Sequence, residues 1–281
     1  EFAGVNEGDV PINATIEVIP TYENGGVACS GNSEIFTITI NPDAQVNEID
    51  DLVYNDGDLV QIPFSSSNSG GTTTYEWTST DPSTGLESSG SGNIEFIATN
   101  TGNSPIVTTV SVTPTFENGG INNTGNQETF TVTVNPAPQV ELIQNSITCA
   151  GDEVADINFS TLNTGGITTY EWTNNNTAIG LAANGVGDIP SFVVVGSSVV
   201  SEIATIEVTP TYDFNGVTCT GNPETFTITV NPGAQVDPVA GQILCVGEST
   251  DEILFTTSNT DGLTTYEWTN NNTAIGLAAS G

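Results

Sequence analysis

The sequence predicts an all-β protein that is a tandem array of immunoglobulin-like β-sandwich domains with a period of about 95 residues. The segment TTYEWTNNNTAIGLAA at 168–183 stands again at 264–279, and a looser copy begins at Thr73. The tryptophans of the three copies, Trp77, Trp172 and Trp268, follow one another at intervals of 95 and 96 residues. A unit of this length suits one small domain and is too long for a solenoid repeat.

Two further motifs recur in step with the tryptophans and predict the domain boundaries. The segments VIPTYENGG, VTPTFENGG and VTPTYDFNG begin at residues 18, 112 and 208, and an FT(I/V)T(I/V)NP motif ends at Pro42, Pro136 and Pro232. We predict four repeats: the C-terminal part of one at 1–42, complete ones at 43–136 and 137–232, and the N-terminal part of a fourth at 233–281. They are called repeats 1 to 4 below. The chain is therefore expected to be a stretch of a longer protein.

Alternation of apolar and polar residues predicts the strands. Segments such as TTVSVTPTF, ATIEVTPTY and ETFTITVNP alternate strictly, and clusters of Gly, Asn and Pro separate them. About seven short strands in 95 residues are typical of an immunoglobulin-like sandwich. In TYEWT, alternation places the Tyr and the Trp on one face, so we predict as core residues Tyr75, Trp77, Tyr170, Trp172, Tyr266 and Trp268.

The four cysteines occupy two recurrent positions. The early position is Asn55, Cys149 and Cys245 in repeats 2, 3 and 4, and the late position is Cys29, Asn123 and Cys219 in repeats 1, 2 and 3. Repeat 2 lacks both cysteines together, which a disulfide within one repeat would explain. We therefore predict a Cys149–Cys219 disulfide, with the partners of Cys29 and Cys245 outside this stretch.

Such a cross-link would close a loop of about 70 residues, contribute roughly 4 kcal/mol in the chain-entropy model and require an oxidising compartment. Four free thiols remain an alternative. Metal ligation by the cysteines is disfavoured, since the chain has no His and no CxxC spacing.

The repeated TTYEWTNNNTAIGLAA, the segment VTPTYDFNGVTCTGNPETFTITVNP and the early CAGD together resemble the PKD-like repeats of large secreted cell-surface adhesins of Bacteroidota, including the gliding-motility type. The resemblance covers the whole chain. It implies an immunoglobulin-like fold, export by the type IX secretion pathway, and a place in an extracellular fibre attached to the outer membrane or secreted. It implies no enzymatic activity, and repeat 2 departs from the pattern by lacking its cysteines.

Composition limits the partners. The chain carries 34 Asp and Glu and no Lys, Arg or His, for a formal charge of −34. Nucleic acids and anionic membrane surfaces are therefore excluded as direct ligands, because nothing neutralises phosphate. No apolar run is long enough to span a membrane. Without cationic side chains, catalysis has only carboxylates, hydroxyls and amides to use, so we predict no enzyme and no catalytic residue.

Calcium is the cofactor that this composition favours, because hard cations take oxygen ligands. The densest group of acids spans the first junction and gives a candidate site of Asp43, Glu48, Asp50, Asp51, Asp56 and Asp58. The other junctions lack this group, which argues against a repeating calcium cage. Three acids do recur after the early position, Asp58, Asp152 and Glu248, and solvated surface is the simpler reading for them.

The predicted function is a structural stalk that extends a tip from a cell surface, with other repeats, and like chains in a fibre, as partners. Two alternatives remain open. The repeats could themselves hold glycans or surfaces through many weak sites, with the tryptophans as stacking platforms. They could also space a secreted hydrolase from the cell.

Overall fold

A computed structural model describes residues 1–197 and 199–281, and nearly all of its regular secondary structure is β-strand. Three single 3-10 turns interrupt them, at Pro82–Thr84, Thr177–Ile179 and Thr273–Ile275. They occupy the same place in repeats 2, 3 and 4, just after the Trp strand. Each begins with Asp81, Asn176 or Asn272, whose side chain accepts a hydrogen bond from the backbone N–H two residues on.

Repeat 1 contributes two antiparallel pairs, in which β1 pairs with β4 and β2 with β3. Repeat 2 forms a six-stranded sheet in the order β5-β12-β10-β7-β8, with β11 added to β10, and a second sheet of β6 and β9. The bounds are β1 Ile12–Val18, β2 Thr21–Asn24, β3 Val27–Ser30, β4 Glu34–Ile40, β5 Leu52–Asn55, β6 Leu59–Ile62, β7 Thr72–Ser79, β8 Ser89–Ser91, β9 Ile94–Ile97, β10 Ile106–Asn118, β11 Ile121–Thr124 and β12 Glu128–Asn135.

Repeat 3 has the same topology. Its six-stranded sheet runs β13-β20-β18-β15-β16 with β19 on β18, and its second sheet pairs β14 with β17. The bounds are β13 Ser146–Cys149, β14 Glu153–Val154, β15 Ile167–Asn174, β16 Asn184–Val186, β17 Phe192–Val193, β18 Glu202–Phe214, β19 Val217–Thr220 and β20 Glu224–Asn231. Both complete repeats are two-sheet sandwiches, as the strand pattern predicted.

The register fixes which residues lie at which end of a repeat. The first strand pairs in parallel with the last, so that Asn55 lies beside Asn135 in repeat 2 and Cys149 beside Asn231 in repeat 3. The ladders of β10 with β7, β11 and β12, of β7 with β8, of β15 with β16 and of β18 with β20 are antiparallel. The early position is therefore at the end of the repeat where the last strand finishes.

Each complete repeat buries its own core. Alternate residues of the long strands β10 and β18 are fully buried, because one face of each strand packs against the second sheet. The core of repeat 2 centres on Trp77, Val112 and Phe130, and that of repeat 3 on Trp172, Ile206 and Phe226.

Three of the six aromatic residues predicted as core are buried, all of them in the complete repeats. Trp77 and Trp172 are 8% and 5% exposed, and Tyr170 is 9% exposed, while Tyr75 is half-buried. In repeat 4 Tyr266 and Trp268 are half-buried. A tilted aromatic pair recurs in repeats 2, 3 and 4. The ring centroids are 5.5 Å apart in Phe64–Tyr75 and in Phe159–Tyr170, and 5.7 Å apart in Phe255–Tyr266.

The described chain divides into two compact units. The first comprises Glu1–Ala137 together with two loops of repeat 3, Asn163–Ile167 and Asp213–Cys219, and the second comprises the rest of repeat 3 and repeat 4. The two loops belong to the first unit because they contact the end of repeat 2. The predicted repeat boundaries at 43, 137 and 233 stay predictions.

Candidate functional site: the junctions between repeats

The first junction, between repeats 1 and 2, is a network of asparagine side chains. Asn41 donates from Nδ2 to the carbonyl of Asn118 at 3.2 Å, and Asn118 donates back to Oδ1 of Asn41 at 2.9 Å. Asn123, at the late position, donates to the carbonyl of Pro42 and to Oδ1 of Asp43, both at 2.9 Å. The hairpin of β10 and β11 is thus bonded to the last residues of the preceding repeat.

The second junction again uses the asparagine of the NP motif and the late position, with other bonding partners. Asn135, the counterpart of Asn41, donates to Oδ1 of Asn55 at 3.2 Å and to the carbonyl of Val217 at 3.5 Å. Asn55 donates to the carbonyl of Thr218 at 3.1 Å. The thiol of Cys219 lies 3.7 Å from the carbonyl oxygen of Pro136, which it reaches as a weak donor.

A backbone hydrogen bond recurs at all three junctions. The N–H groups of Ser69, Thr164 and Thr260 donate to the carbonyls of Asp9, Asn103 and Val199, at 2.9, 2.7 and 3.1 Å respectively. Donors and acceptors both repeat with the period of the sequence. Because the bond joins main-chain atoms, it persists although the residue types change.

A second set of asparagines holds the linkers. Asn68, Asn163 and Asn259 donate from Nδ2 to the carbonyls of Asp43, Ala137 and Gly233, the first linker residues after each NP motif. Neither these asparagines nor those of the NP motif were predicted as functional. The signal was present, since both recur at the repeat period, but asparagine in a loop usually indicates only a turn.

The recurrent acids after the early position have a structural role. Asp58, Asp152 and Glu248 each accept a hydrogen bond from the backbone N–H of the residue at the early position, at 2.8, 3.1 and 2.7 Å. The backbone closes the same turn in the opposite direction, with the N–H of each acid donating to the carbonyl of that residue. These carboxylates therefore fix the turn that presents the early position.

The structure contains no disulfide between Cys149 and Cys219. All four cysteines are free, with Cys29, Cys149 and Cys245 exposed and Cys219 half-buried. Cys149 pairs with Asn231, whose side-chain oxygen accepts a hydrogen bond from the hydroxyl of Ser201. Cys219 lies two residues before Gly221, whose N–H donates to the carbonyl of Pro210. Nine residues of extended strand, about 30 Å, separate Ser201 from Pro210. A disulfide needs Cα atoms within about 7 Å.

The candidate calcium ligands do not converge either. Asp51 accepts from the N–H of Thr131 at 2.7 Å, Asp56 from that of Asn100 at 2.7 Å, and Asp58 closes the early turn. Asp43 accepts from Asn123 at the first junction, while Glu48 and Asp50 are exposed. Across residues 1–197 and 199–281, no three acidic or cysteine side chains stand close enough to hold a metal ion. The arrangement does not fit calcium, which takes six to eight oxygens around one point.

Two shifted pKa values bear on the candidate sites, those of Asp51 and Cys219. Hydrogen bonds from Thr131 hold the pKa of the Asp51 carboxyl below its ordinary value. Burial raises the pKa of the Cys219 thiol, and the nearby carboxylates of Asp58 and Asp56 raise it further. Cys219 therefore stays a neutral thiol at neutral pH.

The tryptophans offer little surface to a sugar ring. Trp77 and Trp172 are more than nine-tenths buried, and the backbones of Gly90 and Gly185 lie against their indoles. Stacking on a carbohydrate needs an open aromatic face. Separately, none of the helical turns in the part of the chain that the structure describes is long or apolar enough to cross a membrane.

The fold and the junctions together define the chain as a tandem array of immunoglobulin-like β-sandwich repeats. No protein-family model matches the sequence, and no curated protein matches it. Among solved structures, the chain is similar to mouse cadherin-23 EC22-24, with 12% identity and a TM-score of 0.33 over 79% of this chain and 74% of that one. Mouse protocadherin-24 EC1-3 has 13% identity and a TM-score of 0.34 over 78% and 80%. Drosophila N-cadherin EC1-4 has 12% identity and a TM-score of 0.26 over 88% and 68%.

Proposed function

We propose that the chain is a non-enzymatic stalk segment of a large extracellular adhesin, which carries a functional tip away from a cell surface. The resemblance to PKD-like repeats further indicates an adhesin of the Bacteroidota gliding-motility type, exported by the type IX pathway. Its partners in this role are the neighbouring repeats and like chains in a fibre.

The observation that carries the proposal is the recurrence of one set of contacts at successive junctions. The backbone hydrogen bonds of Ser69, Thr164 and Thr260 each join one repeat to the preceding repeat, so they do not contribute to the fold of a single domain. Side-chain bonds at the first two junctions add to them. Recurrent hydrogen bonds between successive repeats restrict motion at each junction. A stalk needs this rigidity, whereas an enzyme does not.

Charge supports the same role. A formal charge of −34 without any cationic side chain makes neighbouring chains repel one another over the Debye length, about 8 Å at physiological ionic strength. This protects the many exposed strand edges of an array from pairing with other chains.

Small-angle X-ray scattering on the 281-residue chain tests the proposal. A rod of about 100 Å, the expected length for three to four domains of about 30 Å, has a radius of gyration of about 29 Å, whereas a compact body of this size has about 19 Å. The larger value is expected. A value near 19 Å would rule out the stalk.

A double variant tests whether the side-chain bonds at the junctions stiffen the array. Replacing Asn41 and Asn135 with Ala removes side-chain bonds at two junctions, and neither residue belongs to the apolar core of repeat 2 or repeat 3. We expect unchanged circular dichroism and a more flexible scattering profile. An identical profile would mean that these asparagines do not stiffen the array.

Binding of the same chain to a glycan panel and to abiotic surfaces, with calcium and with chelator, tests the adhesive alternative. No saturable binding is expected, because the tryptophans are covered. Saturable binding in either condition would show that the repeats are themselves the adhesive.

A further inference from the structure

We propose that the early and late positions form cross-linking sites across repeat junctions, where the early cysteine of one repeat bonds to the late cysteine of the next. The bond would tie neighbouring repeats rather than the two ends of one sandwich. The proposal rests on the geometry of the junctions and holds whether or not the array serves as a stalk.

The second junction shows the two positions together. Asn55, at the early position of repeat 2, donates from its side-chain amide to the carbonyl oxygen of Thr218 at 3.1 Å. Thr218 is the residue directly before Cys219 in the sequence. Asn55 also pairs with Asn135 in the sheet, and the thiol of Cys219 contacts the carbonyl of Pro136, the next residue. Early and late positions therefore flank the same two residues of the NP motif.

The late position faces the preceding repeat at the first junction as well. Asn123 bonds the carbonyl of Pro42, the counterpart of Pro136. Within repeat 2 the distance between the two positions is large: Asn123 pairs with Phe116 and Asn55 with Asn135, next to the Ile106–Val134 pair. Ten residues of strand separate Ile106 from Phe116, about 33 Å.

The early position faces the following repeat. Cys149 has the same register against Asn231 that Asn55 has against Asn135. In the second unit it lines a groove with Asp261, Leu263 and other residues of the loop at 259–264 in repeat 4. We infer that Cys149 faces the late position of repeat 4, as Asn55 faces the stretch of repeat 3 that holds Thr218 and Cys219.

The sequence then assigns a state to the second junction. Its late residue is a cysteine, but its early residue is Asn55, whose amide makes a hydrogen bond at this place. This junction is closed without a covalent bond, and a single substitution would restore the pair. The absence of a cysteine at the early position of repeat 2 leaves Cys219 as a free thiol.

The cross-link needs an oxidant, for which a small-molecule disulfide such as oxidised glutathione suffices. One protein thiolate attacks the glutathione disulfide and releases a first glutathione thiol. The second protein thiolate then attacks the mixed disulfide and releases the other, so that two protein thiols become one disulfide and one glutathione disulfide becomes two thiols.

The test is the variant Asn55→Cys in the full 281-residue chain, incubated with oxidised glutathione. Digestion at Glu and mass spectrometry should find peptides of 55 and 219 joined, with the loss of two hydrogens. Alkylation of Cys219 should fall accordingly, while Cys149 and Cys245 keep reacting. Asn55→Cys combined with Cys219→Ser should give no such peptide, and Asn55→Ser controls for loss of the amide.

Two results would overturn the proposal. One is a Cys149–Cys219 peptide from the unsubstituted chain under the same conditions, since it would restore the bond within a repeat. The other is an Asn55→Cys chain with free thiols at 55 and 219. If that variant failed to fold, as seen by circular dichroism against Asn55→Ser, oxidation of the unsubstituted chain would still test the pairing within a repeat, which a Cys149–Cys219 peptide would establish.

Discussion

Gly185 lies directly against the indole of Trp172, and a Cβ added to it would come within 2.3 Å of Cζ2 of the ring. The two residues are partners across β15 and β16. Gly90 stands in the same relation to Trp77, also at 2.3 Å, thirteen residues further along the chain as in repeat 3. Because glycine has no side chain, its backbone can lie against the ring and cover the core tryptophan where a Cβ could not fit.

Gly185→Ala should destabilise repeat 3, because the added methyl must displace a ring that is packed on its other side. Overpacking of this kind costs about 1–3 kcal/mol. Urea unfolding followed by tryptophan fluorescence measures the loss. Gly241→Ala is the matched control, since a Cβ there meets nothing within 4 Å. Equal midpoints for the two variants would contradict the packing argument.

Asn100→Ala should destabilise repeat 2 through its buried hydrogen bonds. Asn100 is 3% exposed and donates to the carbonyls of Ser104 and Val134 at 2.9 and 2.7 Å. Its loss leaves the Val134 carbonyl without this partner inside the protein, at a cost of about 1–3 kcal/mol. Asn103→Ala, at an exposed position three residues on, should leave thermal unfolding unchanged. A similar loss in both variants would point to the loop backbone instead.

Asp51→Asn should lower stability at neutral pH and not at low pH. The folded state depresses the pKa of Asp51 through hydrogen bonds from Thr131. A depressed carboxyl pKa stabilises the fold above the unfolded value of about 3.9, and this contribution is lost as pH falls through the folded value. The difference in unfolding free energy between wild type and variant should therefore be larger at pH 7 than at pH 3. Asp50→Asn removes the same charge nearby, and a matching pH profile there would assign the effect to net charge.

Trypsin should leave the chain intact even when it is unfolded, because the sequence contains no Lys or Arg. Incubation in urea with trypsin, followed by intact-mass measurement, checks this. A Glu-specific protease under the same conditions should fragment the chain and shows that the unfolded state is accessible. Specific tryptic fragments would indicate that the polypeptide differs from this sequence.

Calcium should stabilise the chain no more than magnesium does at equal ionic strength, because the six acids of the first junction do not converge. A specific calcium site, with calcium present at 100 times its Kd, would add about 2.7 kcal/mol to the unfolding free energy. Differential scanning calorimetry in the two salts distinguishes these cases. A calcium-specific rise in Tm that Asp43→Asn abolishes would instead place a site at that junction.

Repetition made the fold readable from the sequence. The alternation of Tyr170, Glu171 and Trp172 in one strand predicted which side chains are buried, because a strand exposes its two faces in turn. It did not show Gly185 covering the indole, because that contact comes from the neighbouring strand.

The sites were harder to predict. The acids between Asp43 and Asp58 are neighbours along the chain, yet each accepts a bond at a different place, since extended strands carry adjacent residues apart. The recurrent Asp58, Asp152 and Glu248 were read as solvated surface, whereas each closes a turn through a backbone N–H. Such a bond depends on local chain direction, which composition does not encode.

The sequence by itself determined the period, the sandwich class and the two recurrent cysteine positions. Only the tertiary structure decided that Asn55 of repeat 2 bonds Thr218 of repeat 3, the residue before Cys219. The reason is physical: in a periodic chain, an early and a late position recur together whether they join within one repeat or between neighbours. The parallel pairing of the first and last strands places them at opposite ends of a sandwich. That register, which spacing along the chain does not contain, brings them together at the junction.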